Sequence, residues 1–332
     1  MLTRREALIA GAMALPLSGL GTAAEPEMEI ATFDVEVTPP IGHPCMGGGI
    51  APVKEILDPL FAHGIILFGN GKPIVIVSVD WCEIRNDAYD AWRNAIAEAI
   101  GTEPVRVLLN ANHQHDAPIA DLAAQKLLEK HKSQGSICDL AFHEKIVARV
   151  AKAAKEAKRQ PVTHLGIGQA KVEKVASNRR YLRDGKPFYN RMSATRDETI
   201  RGAEEGTIDP YLKALSFWNG DLPVAVLHAY ATHPMSFYGR GGCTADFIGL
   251  ARKRRQAEIK ALQIYASGCS GNVTAGKYND GSTDNRPILA ERIYQAMGAA
   301  WKATKKHPIQ WQFRSTTLTL EPRKSASFST DE

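Results

Sequence analysis

A chain of 332 residues, 44% hydrophobic and 23% charged with a formal net charge of +5, is long enough to bury a sizeable core. Its charges are scattered rather than blocked, so nucleic acid is not a favoured partner, and the one dense basic cluster, Arg252-Lys253-Arg254-Arg255, reads as the solvated face of a helix. Five cysteines without CxxC spacing indicate neither a zinc ribbon nor a full disulfide framework.

Residues 1–24 read as a cleavable export signal. Thr3-Arg4-Arg5-Glu6 opens a charged segment, Ala7 to Leu20 is a short apolar run broken by Pro16, and Thr22-Ala23-Ala24 offers small residues for cleavage. The paired arginines resemble a twin-arginine signal, and an ordinary secretory signal has the same outline. The run is too short for a stable span, and no later run approaches membrane length. The expected protein is exported, periplasmic or extracellular, and meets a membrane surface at most transiently. Its mature part, residues 25–332, contains no low-complexity linker, so nothing argues for two independent domains.

Phe61 to Asp80 has the pattern of a hairpin, because Asn70-Gly71 separates two apolar runs and both residues tolerate positive φ. An amphipathic helix over Asn86–Ile100 follows, then the strand VRVLLN. Leu140 to Arg159 reads as a helix stopped by Pro161. Leu212 to Tyr230 is a second hairpin, turning at Asn219-Gly220, followed by a helix around Ile248 to Lys260 and the strand LQIYAS. Pro287 to Lys305 reads as another helix, and IQWQFRSTTLTL alternates apolar with polar residues as a strand does. The order hairpin, loop, helix, strand and loop thus occurs twice. It points to an internal duplication within a layered α/β fold, two mixed sheets packed between helices.

Three polar loops leave apolar strands: NHQHDAP, THP and GCSGNVT. In layered α/β folds such loops line the ligand crevice. His113 and His115 flank one residue and share a site if the backbone bends after Asn112, either around a metal or as a hydrogen-bonded pair. His233 ends a strand and has the same two readings. Asp116 and Asp246 are candidate ligands or acids that orient an imidazole, and Asp246 is equally placed to cap the helix that follows it. Gly268 to Thr274 is rich in small residues that permit close backbone approach to a bound group, with backbone N–H groups available to an oxyanion. Asn178-Arg179-Arg180 sits in a polar connection.

Taken in order from about Ala31 onward, these segments resemble the neutral/alkaline non-lysosomal ceramidase family. FDVEVTPP followed by Met46-Gly47-Gly48 is similar to that family's opening, NHQHDAP to its HTHSGP, Asn178-Arg179 to its NRS segment, and GNVTAG to its GDVSPN; the stretch Asp209 to Pro234 is similar to its DP…LRF…HP segment. The resemblance implies a zinc-dependent hydrolase that cleaves an amide bond of an N-acylsphingosine or a related N-acyl lipid. It implies His113 and His233 as zinc ligands, His115 as a site histidine beside the metal, Arg179 as a substrate contact, and Thr274 where the family has its active-site serine. The expected route is attack by a zinc-bound water, with Thr274 and the Gly271 to Thr274 backbone, Asn272 included, at the oxyanion, His115 moving protons, and Gly47 and Gly271 at the substrate; a Thr274 nucleophile is the alternative. Within this chain Asp246, ahead of Asp116, is the acid that would complete the zinc site; the alternative is a third ligand supplied from beyond Glu332. The chain departs from the family at Asp116-Ala117, where the family has Ser-Gly, and at Asn272-Val273-Thr274, where it has Asp-Val-Ser. The family's later Glu and Tyr ligands have no counterpart before Glu332, so the expectation is an amino-terminal portion of the catalytic fold. A non-catalytic binding protein of the same fold, or an amidase acting on another amide, are the competing expectations.

Overall fold

The computed structural model describes residues 28–321; the segment expected to be an export signal, residues 1–24, lies outside them. The first half runs β1 (Glu29–Glu36), β2 (Phe61–Gly69), β3 (Gly71–Val79), α1 (Asn86–Ile100), β4 (Val107–Ala111), α2 (Leu140–Glu156) and β5 (Arg159–Pro161). The second runs β6 (His164–Lys171), β7 (Tyr211–Asn219), β8 (Leu222–Tyr230), α3 (Asp246–Ile259), β9 (Leu262–Ser267), α4 (Asn285–Lys302) and β10 (Lys305–Pro308). The two sheets have the same strand order, β4-β3-β2-β1-β5 and β9-β8-β7-β6-β10. In each, only the pair formed across a helix, β3/β4 and β8/β9, is parallel. The internal duplication read from the sequence is therefore a property of the fold.

Local chemistry sets these elements. Gly71 and Gly220 take φ of +88° and +58° at the two hairpin turns, while Asn70 and Asn219 stay out of the left-handed region, so only the glycine of each pair supplies the positive φ. In α1 the buried residues Ala88, Trp92 and Ile96 recur every four positions, and Gly101 ends the helix in the left-handed conformation at φ +72°. Strand alternation divides the core into three layers. Ala62 and Ile66 of β2 pack with the α1/α2 side, while Ile65 and Leu67 face the other sheet, where they meet Phe217 and Ile264. Leu212, Ala214 and Val226 pack with the α3/α4 side. The order of layers is helix, sheet, sheet, helix.

Three expectations are corrected. The helix α2 ends at Glu156 rather than Arg159, because Ala157 turns extended and Arg159–Pro161 pairs with β1; an edge position tolerates proline. IQWQFRSTTLTL forms no strand. The sheet edge beside β6 is taken by Lys305–Pro308, so the segment has alternation without a partner, and Leu318 and Leu320 are exposed. The basic cluster on α3 is not a uniformly solvated face either, since Arg252 and Arg255 are each only 4% exposed. Arg252 grips the Asp80 carboxylate with both terminal nitrogens, at 2.7 and 2.6 Å.

That pair joins the halves, since Asp80 follows β3 and Arg252 lies on α3. Removing one partner leaves a buried charge uncompensated, which costs on the order of 3–5 kcal/mol. Arg252→Met is expected to lower the urea midpoint accordingly, whereas Arg252→Met combined with Asp80→Leu should recover much of the loss. Equal midpoints for wild type and Arg252→Met would contradict this role.

Burial also depresses histidines away from the candidate site: His63 to about 3, His143 to about 4 and His228 to about 4. Below the ordinary value of 6.5 the unfolded chain binds protons that these residues refuse when folded. Their contribution is therefore whole above about pH 6.5 and lost as pH falls toward their folded values. For His63 the loss by pH 5 is about 2 kcal/mol. Urea unfolding at pH 7.5 and pH 5 should show a lower midpoint at pH 5, with a smaller difference in His63→Leu.

Candidate metal centre

The strand ends build the site. After β4, the Asn112 N–H donates to the Val79 carbonyl and the His113 N–H to the Trp81 carbonyl, both at 3.0 Å. His113 itself takes a φ of +70°, a conformation that costs an ordinary residue roughly 1–3 kcal/mol and bends the chain where the sequence requires a bend. After β8, the His233 N–H donates to the Val273 carbonyl at 3.0 Å. The loop leaving β9 thus lies beside His233.

His113, His115 and His233 each present a ligand atom within 4.8 Å of the others. Their rings stand nearly perpendicular, with centroids 4.8 Å apart for His113–His233 and 5.2 Å for His113–His115. The Nδ1 of His113 lies 3.2 Å from the Cys82 carbonyl, and the Nδ1 of His233 lies 2.5 Å from the Ser270 carbonyl. A carbonyl only accepts, so each Nδ1 carries the hydrogen and Nε2 is the nitrogen left for a metal, the arrangement found behind metal-bound histidines. The Nδ1 of His115 is buried without a partner. Burial, followed by the neighbouring His113, lowers His115 to about 3 and His233 to about 4. Both are neutral near pH 7, as ligation demands. The donor set fits a zinc ion held by three imidazoles with one position left open. The histidines open on a cavity of about 350 Å³ lined also by Met46, Gly47, Glu83, Ile119 and Ile137.

The other expected residues divide. Gly47 lines the cavity. Arg179 lies close enough to His115 and His233 to lower both, and no ion pair to it forms among the described residues. Asp246 is not part of the imidazole group. Its carboxylate accepts from the Ser236 N–H at 3.0 Å and the Phe247 N–H at 2.6 Å and faces Arg286 at 3.6 Å; the cap reading is corrected as well, since Ala245 holds the cap position and Asp246 is the first residue of the helix. Asp116 accepts from the Gly239 N–H at 2.9 Å and also lies outside the group. Thr274 is wholly buried, with its hydroxyl unpartnered. Asn272 gives its carbonyl to the Arg179 N–H and borders a different cavity with Asn178, and Gly271 is exposed. Toward His233 this loop presents carbonyl oxygens at Ser270 and Val273, not donors for an oxyanion.

Sequence reasoning passed over Cys82 and Glu83, which form a second group with His113, and Tyr238, whose ring meets His115 edge-on at 4.9 Å. Tyr238 follows the THP segment that leaves β8, one of the three polar loops singled out, whereas the segment leaving β3 with Cys82 and Glu83 was not among them.

A four-layer α/β fold with a histidine cluster at its strand ends defines the class. Its fold is shared with neutral ceramidase structures. One, described as ceramidase complexed with C2, superposes with a TM-score of 0.62 at 16% identity, over 85% of this chain and 45% of that one. A second, neutral ceramidase from Pseudomonas aeruginosa, gives 0.60 at 16% identity over 85% and 46%. The chain therefore spans under half the length of the structures it matches. No family model matches it, and no curated protein matches it in sequence. No helix among the described residues is long and apolar enough to cross a membrane.

The geometry separates the two candidates for third ligand. Zinc titrated into metal-free protein should bind one equivalent in wild type and in Asp246→Asn, and weaken at least tenfold in His115→Ala. Loss of zinc from folded Asp246→Asn with retention by His115→Ala would reverse the assignment.

Proposed function

We propose that this protein is an exported zinc-dependent amidase whose substrate is an N-acylsphingosine or a related N-acyl lipid. The observation that carries the reading is the imidazole triad, with the Nδ1 of His113 and of His233 each turned to a backbone carbonyl, which leaves Nε2 as the nitrogen available to a metal. The shared fold of neutral ceramidases supports the reaction class. Zinc bound there supplies a Lewis acid for the amide carbonyl and brings the pKa of a water toward roughly 7.

The chain's own groups arrange the rest. Met46, Ile119 and Ile137 give the cavity an apolar wall beside the imidazoles, suited to an acyl chain and poorly suited to a charged peptide. Arg179, with no carboxylate partner among the described residues, places positive charge near His115 and His233, where a tetrahedral oxyanion would develop. The buried Thr274 hydroxyl has no exposed face, which favours water over Thr274 as the nucleophile.

The test is release of fatty acid from short- and long-chain N-acylsphingosines by zinc-loaded protein, with N-acyl amino acids as the competing amides. His113→Ala and His233→Ala should each reduce kcat/KM by at least about a hundredfold, the scale of losing a metal's contribution of several kcal/mol. Activity that is unchanged in both variants, or absent from zinc-replete wild type on every amide tried, would overturn the proposal.

A further inference from the structure

Glu83 was absent from every expectation, yet the fold brings it to His113. Residues Glu83–Ile84 form a short parallel pairing with Ile119–Ala120, the segment just beyond the HQHDAP loop. The Cys82 N–H also donates to the Pro118 carbonyl at 2.8 Å. These contacts zip the loop leaving β3 to the loop leaving β4. As a result Glu83 Oε1 lies 3.4 Å from His113 Nδ1, on the same side as the Cys82 carbonyl. The other carboxylate oxygen is held by the Arg85 Nε. The Glu83 side chain is 27% exposed and that of His113 30%, so the contact is partly shielded from water.

Cys82, Glu83 and His113 have the composition of a second metal site. The hydrogen-bond geometry opposes that use, because ligation through Nδ1 would displace the hydrogen that the Cys82 carbonyl accepts. We infer that Glu83 is a positioning residue: its carboxylate, 3.4 Å from Nδ1 beside the Cys82 carbonyl that accepts the Nδ1–H, holds that hydrogen in place electrostatically, fixes the tautomer that leaves Nε2 for the metal, and raises the basicity of that nitrogen. A carboxylate behind a ligating histidine does this where it occurs, and its removal typically costs 10–100-fold in metal affinity. Arg85 keeps the carboxylate from turning to solvent. The metal part of this inference rests on the zinc reading above; the hydrogen-bond part does not.

Two measurements on the full chain separate them. In long-range ¹H–¹⁵N spectra of metal-free protein, His113 should appear as the Nδ1–H tautomer, and in Glu83→Ala its ring resonances should shift toward a mixture of tautomers. In chelator competition, Glu83→Ala should bind zinc 10–100-fold more weakly than wild type. Glu83→Gln, which retains an accepting oxygen, should recover part of both effects. A Glu83→Ala protein with unaltered His113 resonances and zinc affinity within threefold of wild type would overturn the inference. Failure of wild type itself to bind zinc would overturn the metal reading, while the tautomer spectra would still decide the hydrogen bond. Thermal unfolding of the variants checks that a lower affinity does not arise from lost structure.

Discussion

The Asp80 carboxylate is the constraint on which the site depends. It is fully buried, and a lone charge there would be prohibitive. Burial by itself would raise its pKa, but the Arg252 guanidinium, the Phe61 N–H and the charge on Arg252 together hold it below the ordinary range. Its remaining acceptor capacity goes to the Asn112 amide at 3.0 Å. Asn112 is the residue before His113, and its own carbonyl accepts from the Ser267 hydroxyl at 2.7 Å, at the end of β9. One carboxylate therefore fixes the start of β2, the exit of β4 and the packing of α3. The histidine at positive φ sits on this support, and its backbone strain is sustained by bonds that the two halves make jointly.

Duplication explains where the rest of the site comes from. In the first half the connection between β1 and β2, residues 37–60, supplies Met46 and Gly47; in the second the corresponding connection between β6 and β7, residues 172–210, supplies Arg179. The exit of β4 supplies His113 and His115, whereas the equivalent exit of β9 supplies carbonyls that orient His233. Equivalent positions thus carry different chemistry. The imidazole cluster forms only where the two sheets' strand ends face one another, so neither half contains it alone.

What the sequence disclosed follows the range of the interaction responsible. The hairpins at Asn70-Gly71 and Asn219-Gly220 were legible because turn conformation is local, and α1 because its apolar spacing is. His113 and His233 were legible because each leaves an apolar strand. Arg252 was misread because four adjacent basic residues describe a solvated face until a buried carboxylate from another layer meets one of them. Asp246 was favoured over His115 as a ligand for a similar reason: distance along the chain says nothing about Arg286, which approaches Asp246 from α4. Glu83 gave no local signal, since its relation to His113 is created by the pairing of two loops. The alternation in IQWQFRSTTLTL was a true local signal without a neighbouring strand to complete it.

The charge balance of the centre sets what it favours. Three neutral imidazoles would leave a bound divalent cation with its full double charge, and Arg179 adds another positive charge nearby. Such a field favours developing anions and disfavours cationic groups at the reacting position. Among the described residues Glu83 is the carboxylate in contact with the triad, and Arg85 offsets much of its charge. The carboxylate therefore acts through the hydrogen on His113 rather than by neutralising the centre. The amide proposed as substrate, whose carbonyl would become an oxyanion, suits that field, whereas a group bringing an ammonium to the same position would be repelled by it.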